Sequence, residues 1–122
     1  MTESVTITGI GMFTPVGRGI AEVFDAVCTG RSGLASPPDG HPVAGSIEVA
    51  GMIAAADGEL EPSAVGSGPE LNPLDRTIVL AVLTARQALA DAGVQVGRDV
   101  AADRIGVILG GVGGMATLER QV

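Results

Sequence analysis

Arg104-Ile105-Gly106-Val107-Ile108-Leu109, running into Gly110-Gly111-Val112-Gly113-Gly114-Met115-Ala116, is the stretch on which the fold turns. Apolar residues at both parities predict a strand covered on both faces, as in a parallel sheet. The four glycines that follow predict a loop whose backbone passes close to something else. A strand of this kind needs neighbours, and this 122-residue chain is expected to supply too few of them.

Working back from it, Gln95 to Asp103 is a polar lead-in, and before that lies a long helical pattern. Asn72-Pro73-Leu74-Asp75 opens this helix well: Asn72 suits the cap, Pro73 the first helical position, and Asp75 the positive end of the dipole. The pattern runs to about Ala92, where Asp91-Ala92-Gly93 ends it. Leu74, Ile78, Val82, Ala85 and Leu89 mark one face. Val79, Leu80 and Leu83 place apolar groups on the others, so the middle of the helix is expected to be enclosed nearly all round.

The N-terminal part predicts a β-loop-α unit. Ser4-Val5-Thr6-Ile7-Thr8 alternates polar and β-branched residues, the period-2 pattern of a strand. Gly9 to Gly17, with Gly11 and Pro15 inside it, predicts a turn-rich connector in which regular pairing does not continue. Ile20, Val23, Phe24 and Val27 then fall at helical spacing on one apolar stripe, with Gly30 placed for the C-terminal cap. Residues 35 to 72 are broken repeatedly by proline and glycine, leaving Val43 to Val49 as the second strand and residues 51–72 as a flexible loop. The order β-α-β-(loop)-α-β-α is an α/β pattern with parallel crossovers.

Composition narrows the function. Apolar residues make up 46% of the chain, enough for a core, and 14 acidic residues against 7 arginines give a net charge of −7. That balance argues against nucleic acid and anionic membranes as partners. The longest apolar run, Ile78 to Leu83, is far too short to cross a bilayer, and the N-terminus lacks the cationic flank of a signal peptide, so the expected location is cytoplasmic. One cysteine cannot form an internal bridge, which agrees with a reducing compartment. Two phenylalanines and no tryptophan or tyrosine leave base stacking and carbohydrate platforms without their usual material.

Several residues are candidates for chemistry. Gly111-Val112-Gly113-Gly114-Met115-Ala116 fits G-x-G-x-x-A between a strand and a helix, the shape of a dinucleotide loop, but equally the shape of a loop packed close to backbone. The Gly9 connector has Thr14 where the third small residue belongs. Cys28 stands four residues after Phe24, where a free thiol serves as a small buried hydrophobe. His41, between Gly40 and Pro42, reads as a solvated loop residue. Asp57, Glu59 and Glu61 read as solubilising charges, and Arg31 and Ser32 as turn residues. No nucleophile, base and orienting group come together, no metal set is present, and no catalytic residue is assigned to this stretch.

Taken in order, these motifs resemble a known family. Thr8-Gly9-Ile10-Gly11-Met12-Phe13-Thr14-Pro15-Val16-Gly17 and Phe24-Asp25-Ala26-Val27-Cys28-Thr29-Gly30-Arg31-Ser32-Gly33-Leu34 resemble the opening of a β-ketoacyl synthase, the condensing enzyme of fatty acid and polyketide assembly. Val43 to Ile47 resembles its second strand, Leu74 to Gly93 its long buried helix, and Arg104 to Gly114 its following strand and glycine loop. The likeness is weakest from Ala50 to Glu70.

The resemblance implies a thiolase-like layered αβαβα fold, of which residues 1–122 form part of the N-terminal half, an incomplete domain. It implies an acyltransferase that carries out decarboxylative Claisen condensation on acyl-carrier-protein thioesters without a cofactor, as a homodimer or a ketosynthase heterodimer. The family's nucleophilic cysteine and two histidines lie downstream of this region; Cys28 and His41 match none of them, so the stretch is expected to be inactive alone. The resemblance places Val112, with Gly111 beside it, along the acyl pocket. One departure stands out: Ser63 to Glu70 has no basic residue where many members carry a run that engages the acidic carrier. The alternatives are a non-catalytic chain-length-factor-like subunit and a nucleotide-binding Rossmann unit.

Overall fold

The computed structural model describes residues 4–41, 43–54 and 76–110. The chain divides into two compact units, one comprising Met1–Ile10 and Ala55–Val122, the other Gly11–Ala54. Helices and strands both occur, so the chain is α/β.

In the Gly11–Ala54 unit, β1 (Phe13–Thr14) and β2 (Gly17–Arg18) form a small antiparallel hairpin, with Phe13 opposite Arg18 and Thr14 opposite Gly17. This corrects the expectation that the connector forms no pairing. Pro15 sets the turn, and the Thr14 hydroxyl closes it, donating to the Gly17 carbonyl at 2.9 Å and accepting from the Val16 amide at 3.3 Å. Helix α1 (Gly19–Cys28) follows at once. The Glu22 carboxylate reaches back to the Arg18 amide at 2.8 Å, satisfying a donor that the helix start leaves open. Gly30, at φ +68°, takes the left-handed conformation expected of it beyond the C-terminal end, and the Arg31 amide donates to the Ala26 carbonyl at 2.8 Å.

The apolar stripe of α1 behaves differently from expectation. Ala26 is fully buried and Val23 half-buried, but Phe24 is 67% exposed and Val27 69%. The unit packs on the small side of the helix and leaves the bulky side in water. Further on, β3 (Leu34–Ala35) pairs antiparallel with β4 (Ala50–Gly51). The expected strand from Val43 to Val49 is instead a series of turns: Gly45 lies at φ +80°, and the amides of Ala44 and Ser46 donate to His41 and Val43. The pairing moves to the residues just after it, so the predicted loop starts inside a strand at Gly51; residues 55–72 lie outside the described set.

In the other unit the dominant element is α2 (Arg76–Asp91). The predicted opening, Asn72 to Asp75, lies outside the described residues. The helix ends as expected, with Gly93 at φ +66° and the Val94 amide on the Leu89 carbonyl. Its enclosure is only partial. Val79 is buried, and Leu80, Val82, Leu83 and Leu89 are half-buried, whereas Ile78, Ala85, Arg86 and Ala90 are exposed.

Both strands predicted for this unit are absent. Ser4 to Thr8 makes no ladder, and Val5 and Ile7 are exposed. Ala102–Arg104 forms a single 3-10 turn, after which Ile105 is extended and Val107, Ile108 and Leu109 are all exposed, Ile108 completely. A strand exists by pairing, and among the described residues neither segment has a partner. For the same reason no parallel sheet forms among the described residues, where both ladders are antiparallel.

Candidate functional site

The glycine loop singled out by the sequence, with Gly111 and Val112, lies outside the described residues, as do Asp57, Glu59 and Glu61. The structure describes the approach to it through Gly110, whose Cα has open space around it.

The remaining candidates fall in the Gly11–Ala54 unit. Cys28 ends α1 and is exposed, which corrects its reading as a buried hydrophobe; it belongs to the wet side of the helix with Phe24 and Val27. His41 is exposed as expected, its Nδ1 accepting from the Val43 amide at 3.4 Å. Among the described residues no hydrogen bond joins the two, so they form no nucleophile–base pair. Ser32 acts as a turn residue, its Oγ accepting from the Leu34 amide at 3.1 Å.

Arg31 does more than turn the chain. Its guanidinium donates to the carbonyl of Val16 and, at 3.5 Å, to that of Glu22, fastening the hairpin to α1. Arg18 works beside it, reaching the Ala54 carbonyl at 2.6 Å while its guanidinium lies 5.7 Å from the centre of the Phe13 ring. These side chains, with Thr14, Glu22 and Asp25, line an open depression of about 450 Å³. Two guanidinium and two carboxylate groups leave it without net charge, and its arginines donate to carbonyls that tie the hairpin to α1 and to Ala54. Glycines make the same closure possible. A Cβ on Gly33 would sit 2.7 Å from Pro15 Cβ, and one on Gly17 would sit 2.7 Å from Glu22 Cβ.

In the other unit, two residues hold the N-terminal segment on the end of α2. A Cβ on Gly9 would run into the Ala88 carbonyl and lie 2.6 Å from the Ala92 nitrogen, and the Ile10 amide donates to Asp91 Oδ2 at 3.0 Å. Sequence reasoning took Asp91 only as the end of a helix. An acid in the last turn opposes the helix dipole, and that anomaly is the signal that it has a partner elsewhere.

Comparison with known proteins places the chain in a family. The family described as β-ketoacyl synthase, N-terminal domain, matches residues 2–121. The chain is 32% identical to 3-oxoacyl-[acyl-carrier-protein] synthase 2 of Coxiella burnetii, over 95% of this chain and 27% of that protein. It is 36% identical to the granaticin polyketide β-ketoacyl synthase 1 of Streptomyces violaceoruber, over 96% of this chain and 27% of the relative. To the actinorhodin polyketide β-ketoacyl synthase 1 of Streptomyces coelicolor it is 34% identical, over 99% and 25%. The chain thus spans about a quarter of the length of these curated relatives. No solved structure matches it. With the family profile covering almost every residue, the chain belongs to the β-ketoacyl synthase family, in its N-terminal domain.

Proposed function

We propose that these residues serve as the N-terminal segment of a 3-oxoacyl-[acyl-carrier-protein] synthase of fatty acid or polyketide assembly. The observation that carries this is the match over residues 2–121, together with relatives named as 3-oxoacyl-[acyl-carrier-protein] synthases. In the proposed reaction a cysteine thiolate takes the acyl group from its carrier thioester, releasing the carrier thiol. A malonyl-carrier thioester loses carbon dioxide, and the resulting carbanion attacks the acyl-enzyme. The new carbon–carbon bond gives 3-oxoacyl-carrier and frees the cysteine. Cys28 is not proposed as that cysteine: the resemblance puts the family's nucleophile downstream of these residues, and Cys28 stands exposed at the end of α1. The segment contributes shape: a layered thiolase-like body in which α2 is a middle-layer helix, and an acyl pocket bordered by Val112 and Gly111. Glycines around a single valine support this role, because they let an acyl chain approach the backbone while one side chain limits its length.

The partners proposed are acyl carrier protein and a second ketosynthase chain, identical or related, in the cytoplasm. No helix among the described residues is long and apolar enough to cross a membrane. The test is an assay of a protein carrying these residues ahead of a full synthase body, supplied with acyl- and malonyl-carrier. Formation of 3-oxoacyl-carrier with release of carbon dioxide is expected, and condensation by the 122 residues alone would overturn the assignment.

A second reading, a chain-length-factor-like subunit, is favoured by the absence of any basic residue from Ser63 to Glu70 in a chain of net charge −7. An acidic carrier is repelled by such a surface, and salt screens the repulsion. Cysteine at the nucleophile position of the coding sequence selects the synthase; glutamine there selects the subunit.

A further inference from the structure

We draw no further inference here: the strongest candidate, the outward apolar face of α1 formed by Ile20, Phe24 and Val27, is an unpartnered helix face, and nothing in the structure shows what covers it.

Discussion

The backbone amide of Ile10 donates to the carboxylate of Asp91 at 3.0 Å, joining positions 81 residues apart. Because the bond is exposed, water competes for both groups, and Asp91→Ala is expected to cost about 1 kcal/mol. Part of the loss is returned by relief of the acid's clash with the helix dipole. Asp91→Asn keeps an acceptor and should lose less than half as much. Denaturant midpoints of the three proteins give the comparison.

Gly9→Ala should be more damaging. The added methyl meets the backbone of α2 at Ala88 and Ala92, which cannot move without unwinding the helix end, so a loss of about 1–3 kcal/mol is expected. Gly30→Ala separates sterics from backbone preference. Its Cβ would meet nothing within 4 Å, and only the φ of +68° resists it, at about 1 kcal/mol. Thermal unfolding should rank wild type, Gly30→Ala and Gly9→Ala in that order of decreasing stability.

Val79 and Ile78 are neighbours on α2 with unequal burial, 2% and 40% exposed. Val79→Ala removes two buried methyl groups and should cost about 2 kcal/mol. Ile78→Ala removes more carbon from a wetter place and should cost less. Equal losses, or the reverse order, would show that Ile78 is the covered residue.

Cys28 should react with a thiol reagent in the native 122-residue chain about as fast as in denaturant, since the structure leaves it exposed. Phe24→Ser, next to it on the same side, should shift stability by about 0.5 kcal/mol or less. A slow thiol, or a Phe24 variant that fails to fold, would mean that this side of α1 is packed.

In a full-length synthase, Val112→Phe is expected to shorten the longest acyl chain accepted, with shorter acyl groups turned over as before. The product length distribution reads this directly. An unchanged distribution would remove Val112 from the pocket.

What the sequence made legible was local. Helix α1, the C-terminal end of α2 and the glycines past both helix ends, Gly30 and Gly93, stand where spacing and capping place them, because a helix is built from contacts three and four residues apart. Strands were misplaced because their pairing is set from elsewhere in the chain. The ladders that form are two residues long at Phe13, Gly17, Leu34 and Ala50, too short to leave a strand signature, while the alternating Val5–Ile7 and the continuous apolar run Val107–Leu109 carry one and pair with nothing among the described residues. The family was readable because its motifs recur in a fixed order. The ties made by Arg31 and Asp91 were not, since each joins residues whose nearness only the fold creates.

The Ile10–Asp91 bond also sets a timetable. Bringing together two points this far apart costs about 4 kcal/mol of chain entropy, so the bond forms after α1 and α2, which need only local order. On a ribosome adding about 5–20 residues per second, the segment around Val5 and Ile7 emerges on the order of ten seconds before Asp91 is even made. Throughout that interval the segment has no helix end to rest on, because Gly9 and Ile10 are made long before Ala88, Asp91 and Ala92.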